Sequence, residues 1–386
     1  MTDYKVLCIG SAVVDISASP IPSPDQWKEK QRIGRIGITT GGDAANQSIR
    51  LADAGVPVSL AACTGTDSNG SFLISALGER GVDTRWIRRV PEAATSTALV
   101  LVDAAGERRT FSTGGAHPML CKEDVWAALK QDPEKQGRQK TGALSLASLF
   151  SMPLLEKDGL EDILAYCQSR GILVFADLAS DKLGQGLGGI RRFLPYIDYF
   201  MPSLYDAVDM TRPGAGPGAG TGGGDGTLES PRDMESVSIT EPSETLEPDP
   251  PELDLARQAA SVYLDCGAKH VIIKCGALGC LLAWPAGRAY SFFHIPAVRV
   301  EPVDTTGAGD CMAALFISRI LEGDDMVSAA RFAACGASLS TLHAGASGHK
   351  LEEKEIRDYM DEPRKSSVEA DPNPAPGLAS GTCMED

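Results

Sequence analysis

The 386-residue sequence contains no Walker A pattern (G-x-x-x-x-G-K-[ST]) and no H-R-D catalytic-loop pattern, which excludes the P-loop and protein-kinase scaffolds for phosphate chemistry. It has no apolar run long enough to span a bilayer. Residues Met1–Lys5 run straight into a strand-like Val6-Leu7-Cys8-Ile9, with no secretory n-region, h-region and cleavage site to be read there. The ten cysteines are scattered, form no C-x-x-C pair and belong to no spaced His/Cys cluster. That argues against a zinc site and for reduced, mostly buried thiols in a cytoplasmic protein. No internal repeat is present. No aromatic residue occurs between Tyr205 and Tyr263, so that stretch has little with which to build a core.

Basic surface is also lacking. The formal net charge is −16, but ten acidic side chains against Arg232 fall within residues 213–254, and four against none within 366–386. The rest of the chain is near neutral. Acidic segments of this kind argue against a nucleic-acid surface. Residues 211–250 begin Pro213-Gly214-Ala215-Gly216 and are of low complexity, so a disordered insertion is expected there, with a disordered tail over 363–386. The insertion contains Gly218-Ala219-Gly220-Thr221-Gly222-Gly223, a formal G-x-G-x-x-G. It lacks the preceding strand and following helix that dinucleotide binding requires.

What stands out is Asp304-Thr305-Thr306-Gly307-Ala308-Gly309-Asp310, followed at once by the helix-forming Cys311-Met312-Ala313-Ala314-Leu315-Phe316. Glycine tolerates close approach and positive φ. The first N–H groups of a helix have no internal partner and lie at the positive end of its dipole. The segment is therefore an anion site suited to a phosphoryl group, with Asp310 beside it as a proton acceptor.

Along the chain, residues 4–16 read as a strand, 43–54 as a helix, 58–62 as a strand and 69–80 as a helix. Residues 97–102 and 109–111 form a hairpin around Asp103–Gly106. Helices follow over 122–130, 159–170, near 187–194, 252–266, 309–321, 325–343 and 351–360. Strands interleave over 143–149, 172–177, 197–201, 270–275 and 279–284. Apolar strands alternating with amphipathic helices predict a mostly parallel sheet covered on both faces, with ligands beyond the carboxyl ends of its strands. The extended segments within about 12–42 and 95–115 break that alternation and read as a small β-sheet lid.

Several further segments occur in a fixed order: Gly10-Ser11-Ala12-Val13-Val14-Asp15, Gly41-Gly42-Asp43-Ala44-Ala45-Asn46, Gly65-Thr66-Asp67-Ser68-Asn69-Gly70, Gly81-Val82-Asp83-Thr84, Val271–Gly279 and Asp304–Asp310. This series resembles the ribokinase-like (PfkB) carbohydrate kinase family, over about residues 4–360 apart from the insertion. The resemblance implies a three-layer α/β/α fold with a lid in one domain over residues 1–362, and an ATP- and Mg²⁺-dependent transfer to a sugar hydroxyl. It implies Asp310 as general base, with the N–H groups of Gly307, Ala308 and Gly309 as anion hole. Asp15, Gly41, Gly42 and Asn46 would meet the sugar, although a turn carboxylate and a helix cap also account for Asp15 and Asn46. Gly276 and Gly279 would border the nucleotide, or form a tight turn. Lys274 would reach its phosphates, or sit exposed at a strand end. Asp304 and the Thr306 carbonyl would hold a monovalent cation such as K⁺, with Ser340 and Gly345 completing its shell. Arg109 and His117 are lid and loop residues open to either a substrate or a solvent role. A homodimer paired through the lids is also implied, with a nucleoside kinase as the alternative activity and a weakly catalytic sugar sensor as a more distant one.

The chain departs from the family at three places. Ser203-Leu204-Tyr205-Asp206 stands where N-x-x-E is usual, so Asp206 is the carboxylate left for Mg²⁺ and phosphate. Val13 and Asp43 stand where ribose kinases have Asn and Lys, which argues against ribose itself.

Overall fold

Both faces of the central strands are apolar, and residues alternate between two cores. In β1 (Tyr4–Ile9), Val6 and Cys8 enter one core while Leu7 and Ile9 enter the other. The computed structural model describes residues 4–23, 26–103, 108–130, 140–181, 184–212 and 250–361. The expected insertion falls almost wholly, and the expected tail wholly, outside these residues.

After β1 the chain leaves the body for β2 (Val13–Ile21) and β3 (Arg35–Gly41). It returns through α1 (Asp43–Asp53), β4 (Val58–Gly65), α2 (Ser68–Glu79) and β5 (Ile87–Val90), then leaves again for β6 (Thr97–Asp103) and β7 (Arg108–Ser112). Next come α3 (Lys122–Leu129), β8 (Lys140–Leu149), α4 (Pro153–Lys157), α5 (Leu160–Ser169), β9 (Leu173–Leu178), α6 (Gly186–Ile190), β10 (Tyr199–Phe200) and α7 (Leu204–Thr211). The last part holds α8 (Pro251–Asp265), β11 (Val271–Lys274), β12 (Cys280–Ala286), β13 (Ala289–Ile295), α9 (Ala308–Glu322), α10 (Met326–Ser340) and α11 (Glu353–Asp361).

Nine strands form the central sheet in the order β13-β12-β11-β10-β9-β8-β1-β4-β5. It is parallel from β11 to β5, with β12 and β13 added antiparallel at one edge. Helices α3 to α8 cover one face. Helices α1, α2, α9, α10 and α11 cover the other. The second sheet, β3-β2-β6-β7, is the lid, built from two segments distant in sequence.

The fold class and the lid agree with expectation, and several boundaries differ. The expected strand 4–16 is two strands in different sheets, because the chain turns at Gly10–Ala12 and Val14 pairs with Thr97 of the lid. The helix expected over 325–343 ends at Ser340. There the carbonyl of Thr341 accepts instead from the N–H groups of Val303 and Asp304, at 2.8 and 3.0 Å. The helix near 187–194 is the short α6, and the strand 197–201 shrinks to Tyr199–Phe200. Strands β5 and β13 and helix α4 had no counterpart in the sequence reading. All nine cysteines described are free thiols, seven of them buried.

Candidate active site

Helix α1 carries the wiring of the site. It is buried along most of its length, including the polar residues Asn46, Gln47, Ser48 and Arg50, and buried polar groups need partners. Asn46 donates through Nδ2 to Asp310 Oδ2 at 2.9 Å, and Gln47 Nε2 lies 3.5 Å from Asp310 Oδ1. Gln47 accepts from Ser145 Oγ at 2.7 Å. Arg50 donates to the carbonyls of Ala346 and His349 at 2.8 and 2.7 Å, pinning the loop after α10. Asn46, expected at the sugar, holds Asp310 through its Nδ2. Its Oδ1 is buried with no partner among the described residues.

At the start of α9, Gly307 adopts the left-handed region at φ 72°, and an added Cβ there would lie 2.5 Å from Ala346 Cβ. No other residue fits that backbone and that space. The N–H of Ala308 leans back on the Thr305 carbonyl at 3.3 Å, and that of Cys311 closes on Gly307 at 2.8 Å. The N–H groups of Gly307, Gly309 and Asp310 have no acceptor among the described residues. The open donors thus differ by one from those expected: Asp310 contributes its amide, and Ala308 is engaged within the turn.

Beside these amides lies a cluster of charged groups at the carboxyl ends of the strands. Lys274, expected either at phosphates or exposed, is partly buried at the end of β11, its side chain 13% exposed, and paired with the carboxylate of Asp177 at the end of β9. A Cβ on Gly309 would lie 3.4 Å from Lys274 Nζ, so the ammonium sits against the anion loop. Burial works against the charge of Lys274. The carboxylates of Asp177, Asp310 and Asp43 outweigh it and raise the lysine's pKa. The pKa of Asp177 is raised by burial, with Lys274 opposing. Asp43, which accepts from Ser148 Oγ at 3.2 Å, is raised well above the carboxylate range by burial and then by Asp310 and Asp177. Asp310 is pushed up to about 6, chiefly by burial; Asn46 and Lys274 oppose and Asp177 adds. Sequence reasoning missed Asp177 and noted Asp43 only as a departure. A carboxylate ending an apolar strand was the available signal.

On the lid side, Asp15 in β2 is half-buried and raised to about 6 by burial. Gly41 permits a close approach, but to the chain itself: an added Cβ would fall 2.1 Å from the Asp15 carboxylate. Gly42 likewise lies against the Ser11 carbonyl, 2.7 Å from an added Cβ. The two glycines bring the start of α1 onto Ser11 and Asp15.

A cleft of about 430 Å³ opens next to Lys274, lined by Ser203, Tyr205, Val208, Leu255 and Gly276 among others. Gly276 borders it, whereas an added Cβ on Gly279 would lie 2.0 Å from the Ile295 carbonyl, so Gly279 serves the packing of the β11–β12 turn. Ser203 caps α7: its Oγ accepts from the Asp206 N–H at 3.1 Å and donates to the Asp206 carboxylate at 2.5 Å. In the Ser-x-x-Asp departure Ser203 is the N-cap of α7, and its hydroxyl also ties down the Asp206 carboxylate.

Asp304 accepts from the N–H of Thr306 at 2.8 Å and of Gly345 at 2.9 Å. The guanidinium of Arg108, on lid strand β7, pairs with the Asp304 carboxylate and with the Thr306 hydroxyl. Burial opposes the ionisation of Asp304, but these donors hold its pKa below the usual range. The sequence singled out Arg109. Strand register instead gives the inner face to Arg108, which shares parity with Asp15 across β6, and leaves Arg109 exposed opposite Leu101. Ser340 donates to Ala337 within α10, and His117 lies in a short turn whose N–H bonds Ser96 Oγ at 3.3 Å.

An open-amide helix start with a carboxylate next to it, between a lid and a cleft, suits phosphoryl transfer to a hydroxyl. The ribokinase of Haemophilus influenzae is 24% identical over 330 residues, covering 84% of this chain and 88% of that protein. The ribokinase of Arabidopsis thaliana is 26% identical over 346 residues, covering 88% and 77%. Among solved structures, Arabidopsis thaliana ribokinase complexed with ribose and ATP matches with a TM-score of 0.66 and 22% identity, over 94% of this chain and 99% of that one. Aminoimidazole riboside kinase from Salmonella enterica, complexed with aminoimidazole riboside and an ATP analogue, matches with 0.64 and 20%, over 92% and 99%. The fold and relatives define a phosphotransferase with an alcohol group as acceptor. The chain belongs to the pfkB family of carbohydrate kinases, whose pattern matches residues 3–214 and 239–354.

Proposed function

We propose that this chain transfers the γ-phosphoryl group of ATP to a hydroxyl of a small sugar. The observation that carries the reading is Asp310: a carboxylate raised to about 6, held by Asn46 and Gln47, beside the unpartnered amides of Gly307, Gly309 and its own N–H. Asp310 takes the proton of the acceptor hydroxyl, and the amides receive charge as it develops on the transferring group. Asp15 and the free Oδ1 of Asn46 accept hydrogen bonds from the other sugar hydroxyls. The cleft at Lys274 and Gly276 takes the nucleotide, with Lys274 directed by Asp177 against the anion loop.

The donor chemistry fits Mg²⁺: Asp43 and Asp177 share the charged cluster with Lys274, Asp206 is close enough to act on Asp177, and one lysine does not neutralise these hard-oxygen ligands. When bound, the ion neutralises phosphate charge. A monovalent cation at Asp304 and Thr306 does not fit in the same way. Both carboxylate oxygens are taken by backbone N–H groups, and Arg108 supplies the positive charge. We read Arg108 as a latch that joins the closed lid to the anion loop and keeps water from the site.

The lid also presents an apolar row on its other face. Ile38, Ile16, Leu99 and Phe111 are consecutive cross-strand partners, and Ile38 and Phe111 are 56% and 59% exposed. Such a row supports pairing of two lids in a homodimer. The substrate reading is tested by a coupled ADP-release screen over sugars and nucleosides. Sugar-dependent release supports it. Release with nucleosides alone, which the aminoimidazole riboside kinase neighbour favours, replaces it with the nucleoside reading, and release with neither supports a sugar sensor.

A further inference from the structure

The sequence has no spaced His/Cys cluster, yet the fold assembles a group of metal-ligating side chains away from the kinase site. His343 lies just past the end of α10, His349 six residues on in the loop, and Glu355 in the first turn of α11. Their ligating atoms all lie within 4.8 Å of one another. The two imidazoles stack with centroids 3.8 Å apart and 24° between planes, and His349 Nε2 is 3.6 Å from Glu355 Oε2. All three residues are partly buried, His349 and Glu355 with side chains 38% and 42% exposed, so one side of the group faces solvent.

We propose that His343, His349 and Glu355 bind one divalent transition-metal ion of the Zn²⁺, Co²⁺ or Ni²⁺ class. Two neutral imidazoles and a carboxylate are ligands that such ions take and that Mg²⁺ and Ca²⁺ do not favour. Tetrahedral Zn²⁺ with bonds of about 2.0–2.1 Å needs donor atoms about 3.4 Å apart, a closure that side-chain rotation supplies. Water takes the fourth position on the exposed side. The backbone beneath is already fixed. Buried Arg50 holds the carbonyls of His349 and Ala346, the Gly345 N–H is bound by Asp304, and Ile356, next to Glu355, is wholly buried. The same loop carries Ala346, against which Gly307 packs. Binding therefore clamps the loop that supports the anion hole, from outside the site. The H-x5-H-x5-E spacing follows no familiar metal pattern, because the ligands come from a helix end, a loop and a second helix.

The test uses the full chain, stripped by chelator and titrated with Zn²⁺ or Co²⁺ in excess Mg²⁺ that occupies the carboxylates of the kinase site. The expected result is one ion per chain, a rise in Tm, and cobalt ligand-field bands without the thiolate charge-transfer band that a cysteine ligand gives. His349→Ala and Glu355→Gln each remove a ligand and should weaken binding by at least the roughly 10–100-fold that loss of an outer-shell partner costs. Glu355 lies at the surface, so Glu355→Gln retains the fold and carries the test should His349→Ala unfold. Absence of stoichiometric binding overturns the proposal, leaving the histidines a stacked pair only. Unchanged affinity in Glu355→Gln, or a thiolate band, also overturns it. These readouts are of binding, so their failure leaves the kinase reading untouched.

Discussion

A general base that works near neutral pH needs a proton affinity close below that pH, and in the proposed reading Asp310 gets it from burial rather than from its own chemistry. The acid limb of kcat/KM should therefore fall near pH 6, as a property of Asp310 together with Asp43 and Asp177. Lys274 favours the ionised carboxylates, so Lys274→Met should move that limb to higher pH. A pH–rate profile of both proteins checks this, and a limb that stays put in the variant contradicts it. The shift has a stability consequence as well. A carboxyl whose folded pKa lies above its unfolded value binds more protons when folded, so its contribution to stability declines as pH rises from about 4 to about 6. At this scale the sequence was informative where a residue's role is set by its neighbours in the chain. Asp310, Gly307 and Gly309 follow from helix-start chemistry. Asp177, Gln47 and the holding role of Asn46 did not emerge, because their partners are 97, 263 and 264 positions away and depend on strand order.

Among the elements, the lid hairpin shows how register decides function. Two adjacent arginines in β7 are equivalent by composition, and only pairing with β6 turns Arg108 toward Asp304 and Arg109 away. If the guanidinium takes the place of a monovalent ion, the parent enzyme should respond little to K⁺ in a K⁺-free assay. Arg108→Ala should lose roughly tenfold in kcat/KM, the order expected for one charge-assisted hydrogen bond, and gain activation by K⁺. A strong K⁺ response in the parent contradicts the latch. Helices and buried strands were legible from periodicity and glycine stops. Boundaries failed where tertiary contacts intervened: β2 left the body for the lid, and α10 stopped where Thr341 turned its carbonyl to Val303 and Asp304. Strand β13 was missed because its half-buried edge residues carry only a weak alternation.

For the molecule as a whole, charge and apolar surface are separated. Most of the net negative charge sits in residues 213–254 and 366–386, while the lid carries the exposed row of Ile38, Leu99 and Phe111. Light scattering should find a dimer for the parent and a monomer for the double variant Ile38→Glu, Phe111→Glu; a parent that is monomeric at micromolar concentration contradicts the lid pairing. Among the described residues no helix is long and apolar enough to cross a membrane. The central claim is that one carboxylate at the start of α9 performs proton transfer for the whole assembly. Its direct test is sugar-dependent ADP release by Asp310→Asn beside the parent, with Tm recorded at pH 7.5. The account predicts a rate lower by about 10²–10⁴-fold with a Tm no lower than the parent's, since a partly buried, reluctantly ionised carboxylate has been removed. A variant that phosphorylates near the parent rate would contradict it.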